Sequence, residues 1–243
     1  MSWLENANVV IVGASGGIGN ALAQHLALEP GVRHLFAGAR REPKTPIDKS
    51  SLFFVDLEDE TTIAEAASSI EVELDLVIVA TGMLHDRERG IRPEKALKQA
   101  RASALLTQFQ VNAIGPLLVA KHFLPKIKRD SRAVFAALSA RVGSIEDNRL
   151  GGWYGYRASK AALNQFIRTT AIEWRRTHKH LICVGLHPGT VDTELSQPFQ
   201  SGVPEHKLFT ADVSATRLLE VVRGLRPQDS GSVFAWDSTR IPG

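Results

Sequence analysis

The 243-residue sequence contains a single cysteine, Cys183. One thiol excludes an intrachain disulfide framework, and no CxxC or paired Cys/His spacing offers a zinc site. The eight histidines are dispersed. His178 and His180, the nearest pair, read as solvated surface near a helix end, so no metal is expected. No run of 18 or more apolar residues occurs, and the stretch from Met1 to Gly17 lacks the basic region and cleavage pattern of a signal peptide. The expectation is a soluble, cytoplasmic protein without a membrane partner. Charge of one sign is also scarce, with 29 basic against 26 acidic residues and a formal net charge of +3 spread along the chain. Without a basic stripe, nucleic acid is not expected, and a phosphorylated small molecule fits better. Long Pro/Gly/Ser linkers and solenoid-spaced repeats are absent too. Against these absences stand 44% hydrophobic and 23% charged residues, an ordinary globular balance. The reading is one α/β domain over residues 1–243.

Strand-like apolar runs fall at Asn8 to Val12, Arg33 to Gly38, Leu52 to Val55, Leu74 to Ala80, Ala133 to Leu138, Leu181 to Leu186 and Ser232 to Trp236. Helical patterns lie between most of them. Nearly continuous apolar strands alternating with helices imply a doubly wound parallel sheet of about seven strands, a Rossmann fold with helices on both faces. Glu42 to Ser50, Met83 to Pro93 and Thr190 to Leu208 read as irregular. The last two would wall a substrate site, because ligands of open α/β sheets bind beyond the carboxyl ends of the strands.

The first strand stops at Gly13-Ala14-Ser15-Gly16-Gly17-Ile18-Gly19, and a helical pattern follows from Asn20 to Leu28. Glycines let the backbone turn sharply and approach a ligand without Cβ interference. The next helix aims unsatisfied N–H groups at the same space, which suits a dinucleotide pyrophosphate. After the second strand, at Gly38-Ala39-Arg40-Arg41, no acidic residue stands where it would accept from a ribose 2′-hydroxyl. Arg40 and Arg41 favour a 2′-phosphate through charge-assisted bonds of roughly 1.5 to 3 kcal/mol each, hence NADP(H). The competing reading is two solvated loop charges beside Glu42.

Tyr156-Arg-Ala-Ser-Lys160 opens a helical stretch, and a spacing of four puts phenol and ammonium on one face. Two unit charges about 5 Å apart at an effective dielectric near 20 interact by roughly 3 kcal/mol, enough to bring a phenol pKa from about 10 to about 8. Such a phenol can donate the proton a carbonyl oxygen needs as hydride reaches its carbon. Tyr154, off that face, reads as packing or pocket wall.

Gly13-x-x-x-Gly17-Ile18-Gly19, Tyr156-x-x-x-Lys160 and Pro188-Gly189-x-Val191-x-Thr193 together resemble the short-chain dehydrogenase/reductase family, from about Asn8 to Trp236. Tyr156-Arg-Ala-Ser-Lys160-Ala-Ala-Leu-Asn164 and Leu186-His-Pro-Gly189 look like the branch holding Sniffer-type carbonyl reductases and the bacterial C-factor. The resemblance implies that Tyr156 is the acid/base and that Lys160 lowers its pKa and binds the nicotinamide ribose. It makes Asn112 the asparagine that holds a water in a proton relay. Asp56 and Leu57 would contact adenine, although Asp56 could equally cap the helix starting near Asp59. Ala80, Thr81 and Gly82 would border the cofactor, and Pro188, Gly189, Thr190, Val191 and Thr193 would grip its nicotinamide half. A homodimer or homotetramer is implied as well.

The family's catalytic serine stands three residues before a glycine, and counting back from Gly143 gives Ala140. Ser139 lies one position earlier, on the other strand face unless a bulge compensates, and Ser144 is a second candidate. Ser139 is the serine expected. Val12 and Val79-Ala80-Thr81-Gly82 also depart from the family's usual threonine and Asn-Asn-Ala-Gly. The expected reaction is hydride transfer from NADPH to an aldehyde or ketone, with Tyr156 as general acid and a small carbonyl or alcohol as substrate. The alternative is a nucleotide-binding, C-factor-like signalling or sensor protein with little turnover. A role in assembly through the helix after Tyr156 is weaker still.

Overall fold

The computed structural model describes residues 4–243 except 44, 203, 205 and 206. The irregular segments Glu42 to Ser50 and Thr190 to Leu208 therefore lie partly outside the described residues. The first strand, β1 (Ala7–Val12), is buried along its whole length, as are β4 (Leu76–Val79) and β5 (Ala133–Leu138). With β2 (Val32–Ala39), β3 (Ser50–Phe54), β6 (Leu181–His187) and β9 (Val233–Ala235) they form seven parallel strands. Strands apolar on both sides must be covered on both sides. Val9, Ile11, Leu76, Ile78, Val134 and Ile182 face α1 (Gly17–Leu28) and α6 (Ala211–Gly224). Val10, Val12, Val77, Val79, Phe135 and Leu181 face α2 (Glu60–Ser68), α4 (Gly115–Phe123) and α5 (Tyr154–Trp174).

An eighth strand, β10 (Arg240–Ile241), adds antiparallel to the edge, so the sheet runs β10-β9-β6-β5-β4-β1-β2-β3. Two residues after a turn at Asp237 carry no periodicity to read, which is why about seven strands are legible and eight exist. For the same reason the pairing of β7 (Thr190–Val191) with β8 (Leu208–Phe209) escapes notice inside a segment read as irregular. Strand order reverses between β1 and β4, and the crevice at such a point, beyond the carboxyl ends, receives the ligand.

One long helical run joins α3 (Ala102–Phe109) to α4 through a π-helical turn, Gln110–Ile114, just ahead of Pro116. By length and composition the stretch Ala102–Lys126 could cross a membrane. Here Ala113, Val119, Ala120 and Phe123 are spent on the core instead.

Candidate active site

At the end of β1 the chain turns at Gly13, whose φ of 95° places it in the left-handed region. A Cβ there would lie 2.8 Å from the Thr81 methyl, and one on Gly19 would overlap the Gly13 carbonyl oxygen. The Gly13 and Ala14 amides donate to the Gly38 carbonyl at 2.7 and 3.1 Å, tying the loop to β2. No side chain caps α1; the Gly16 amide donates to the Gly13 carbonyl at 3.0 Å, which leaves the first-turn amides after Gly16 and Gly17 open for an anion. Ile18, partly buried, packs against the core. Two polar atoms buried beside this loop, Thr81 Oγ1 and Asn20 Nδ2, have no hydrogen-bond partner among the described residues. A cradle that Cβ atoms would fill, open amides and orphaned polar atoms fit a dinucleotide.

Gly17 closes that cradle from the far side, since a Cβ on it would stand 2.8 Å from the Thr193 methyl. Thr193 is reached through Pro188 and Gly189 (φ 82°), packed on Phe209, and through Thr190 and Val191 of β7. The Pro188 carbonyl accepts from Ser214 Oγ at 2.9 Å. The segment expected to grip one half of a cofactor therefore does lie over the glycine loop.

Arg40, just past the end of β2, is exposed but has acidic neighbours other than Glu42. Its Nη1 is 3.7 Å from Glu58 Oε1 and 4.0 Å from Asp56 Oδ2, and Arg41 is exposed. Asp56 does not cap α2: Asp59 does, accepting from the Thr61 amide at 2.9 Å. Asp56 Oδ1 accepts from the Glu58 amide instead, fixing the β3–α2 turn, and Leu57 is buried against Gly115.

The π-helical turn brings Asn112 to the end of β4. Its Oδ1 accepts from the Met83 amide at 2.7 Å, and its Nδ2 donates to the Met83 carbonyl at 2.8 Å and to Ser159 Oγ at 3.1 Å. Both amide hydrogens are spent on protein. The side chain pins the chain after Ala80, Thr81 and Gly82 to α5. A Cβ on Gly82 would sit 3.5 Å from Lys160 Nζ, so this loop borders the lysine.

Lys160 is fully buried and donates to the Leu138 carbonyl at 2.7 Å. Its ammonium is 5.9 Å from the centre of the Tyr156 ring. Burial pushes Lys160 down to about 7 and Tyr156 up to about 12. Spacing places the two groups together, and loss of water, which penalises phenolate and ammonium alike, is the cause of both shifts. What results is a neutral phenol beside an easily deprotonated amine.

Neither serine expected to assist is brought to Tyr156. Ser139 Oγ donates to Asn164 Oδ1 at 2.6 Å, two helical turns beyond Tyr156 on α5. Ser144 Oγ donates to the Gly243 carbonyl at 2.9 Å and accepts from the Asp147 amide. The residue packed with Tyr156 at the end of β5 is Ala140.

The same cluster holds Leu84, Leu195 and Phe199, which lie in the two segments expected to wall a substrate site, and Val142 and Trp153, which do not. Trp153 lies edge-on to Tyr156 with ring centres 6.2 Å apart, and Phe199 lies 5.4 Å from Trp153. Gly151, Gly152 and Trp153 all have left-handed backbones, which swings the indole over the phenol at the start of α5. The Gly-Gly pair ahead of Trp153 was the signal available. Tyr154, 41% exposed, takes no part. His187, at the end of β6, is held down to about 4 by burial and then by Arg141, and its Nδ1 has no partner among the described residues.

The profile of a family described as short chain dehydrogenase matches residues 7–203. The chain belongs to the short-chain dehydrogenase family. That span takes in the glycine loop, Asn112, Tyr156, Lys160 and the segment from Pro188 to Thr193. The C-signal protein of Myxococcus xanthus is 37% identical over 134 residues, covering 55% of this chain and 75% of that protein. The 1-hydroxy-2-glutathionyl-2-methyl-3-butene dehydrogenase of Rhodococcus sp. (strain AD45) is 26% identical over 243 residues, covering 96% and 98%. Among solved structures, the NADPH-bound carbonyl reductase from chicken fatty liver superposes with a TM-score of 0.84 at 26% identity, covering 100% of this chain and 96% of that one. The carbonyl reductase Sniffer of D. melanogaster superposes with a TM-score of 0.83 at 22% identity, covering 98% and 100%.

Proposed function

We propose that this short-chain dehydrogenase reduces an aldehyde or ketone with NADPH, Tyr156 donating the proton. The observation that carries the reading is the buried Tyr156–Lys160 pair, set between the glycine cradle and an apolar cluster. The likeness to an NADPH-bound carbonyl reductase and the absence of an acid directly after β2 support the choice of nucleotide. When bound, the dinucleotide supplies hydride to the carbonyl carbon.

The chain's own residues do the rest, acting as one unit over residues 1–243. The glycine loop and the α1 N-terminus hold the pyrophosphate. Arg40 and Arg41 face the 2′-phosphate, Asp56 and Leu57 the adenine, and Ala80, Thr81, Gly82 and Pro188 to Thr193 the nicotinamide half. Lys160, beside Gly82, binds the nicotinamide ribose and gains its charge on meeting an acceptor there. Tyr156, neutral through the whole physiological range, gives its proton to the developing alkoxide. Asn112 positions both walls through Met83 and Ser159. With Ser139 bonded to Asn164 and Ser144 to Gly243, the proton comes from Tyr156 without help from either hydroxyl.

Ala140 and the C-signal likeness favour a second reading, a nucleotide-binding signalling protein with little turnover. NADPH titration followed by an NADPH-consumption assay over a panel of aldehydes and ketones separates the two. Turnover with any member supports the reductase; tight binding with no turnover, unchanged by Tyr156→Phe, supports the signalling reading. A chain that neither binds nor consumes NADPH defeats both.

A further inference from the structure

We infer that Arg89, on the loop after β4, is a second anion-binding residue of the cofactor groove, and that Glu58 is a carboxylate displaced by the 2′-phosphate from between Arg89 and Arg40. The inference rests on the NADP(H) reading above and adds to it a residue and an exchange. The two oxygens of Glu58 face two different guanidiniums. Oε2 is 2.8 Å from Arg89 Nη1, and Oε1 is 3.7 Å from Arg40 Nη1. A phosphate monoester offers three acceptor oxygens and nearly twice the charge in the same kind of position. The carboxylate is the smaller anion in a seat flanked by arginines from two separate loops.

Arg89 is aimed there by a built turn rather than by chance. The Asp86 and Ile91 backbones pair at 3.0 and 2.7 Å, the Arg89 amide donates to Asp86 Oδ1 at 3.0 Å, and Gly90 supplies the left-handed corner with φ 62°. Arg101 Nη2 donates to the Gly90 carbonyl and anchors the turn to the start of α3. Arg89 Nε lies a further 3.6 Å from Asp86 Oδ2. The charges meeting at this corner are Arg40 and Arg89 against Asp56, Glu58 and Asp86, a net of one negative. With Glu58 swung aside the corner is neutral and both guanidiniums are open to direct pairing with a phosphate, and Glu58, at 28% side-chain exposure on the turn before α2, has water to swing into. Discrimination between NADPH and NADH then depends on an exchange of anions. Because Arg89 belongs to a loop that also borders the apolar cluster through Leu84, the exchange links nucleotide binding to the substrate wall.

Calorimetric titration of the full chain with NADPH and with NADH tests this directly. Arg89→Ala is expected to weaken NADPH about fivefold and to leave NADH unchanged, the size expected of one half-exposed charge pair. Glu58→Gln is expected to tighten NADPH by a similar factor, again without effect on NADH. Equal changes for both nucleotides, or none, in Arg89→Ala would overturn the role of Arg89. Weaker NADPH binding in Glu58→Gln would show the carboxylate to be a brace for the arginines and overturn the exchange. A wild-type chain that binds neither nucleotide would defeat the cofactor reading itself and the inference with it, whereas tight NADPH binding indifferent to both substitutions defeats the inference alone.

Discussion

An ammonium that is 2% exposed and bonded to a single neutral carbonyl has lost hydration that no carboxylate offsets, and Lys160 accordingly titrates near 7 instead of 10.5. The unfolded chain then binds the additional proton between about 7 and 10.5, so this group's contribution makes stability rise with pH across that window. Its penalty is fully present below about 7. Tyr156, raised from 10.0 to about 12, acts in the opposite sense only above 10. Lys160→Met should therefore be more stable than wild type at neutral pH, with the gap shrinking by about pH 9.5. Urea midpoints at both pH values check it, and a constant gap would contradict it. Position was legible here, because a spacing of four on a helix is a distance; the direction of the phenol shift was not, because spacing says nothing about burial. The serine was illegible for a related reason, since which neighbour a residue at a strand end meets is decided by the helix packed on it. Ala140, packed with Tyr156, offers a direct check: Ala140→Ser should raise kcat/KM for carbonyl reduction by about tenfold or more by adding a donor at the substrate oxygen. Steady-state kinetics with one carbonyl substrate read this out, and an unchanged value would place the substrate oxygen elsewhere.

At the scale of elements, the site depends on three departures from regular structure. The left-handed run at Gly151, Gly152 and Trp153 sets the entry of α5, two residues earlier than the Tyr156 start read from the sequence. The π-helical turn inserts Asn112 between Met83 and Ser159, and sequence periodicity cannot show a single widened turn. The glycine loop, by contrast, was plain, because glycines between an apolar strand and a helix have few other uses. Its four glycines are not equivalent. Gly19→Ala should abolish nucleotide binding, since the new Cβ overlaps the Gly13 carbonyl, and should destabilise the fold by about 1 to 3 kcal/mol. Gly16→Ala should be tolerated, its nearest neighbour being the same oxygen at 3.4 Å. NADPH titration and thermal melting of the pair check the contrast.

For the molecule as a whole, seven strand runs and their alternation with helices were readable, with ends within two residues at all seven strands and identical at β5. Strand order was not, because it is fixed by which helix covers which face, and with it went the knowledge of what meets at the crevice. The order found sets the end of β1 between β2 and β4, so that the glycine loop, Arg40, Thr81 and the Pro188 segment converge from four strands on one groove. Tyr156 and Lys160 stand at its inner end. The central claim is that this convergence serves proton donation by the phenol during hydride transfer. It is tested most directly by the turnover number for NADPH-driven carbonyl reduction in wild type and Tyr156→Phe, with NADPH affinity measured in parallel. Turnover is expected to fall about a hundredfold or more with affinity unchanged; equal turnover in the two proteins would rule out Tyr156 as the proton donor.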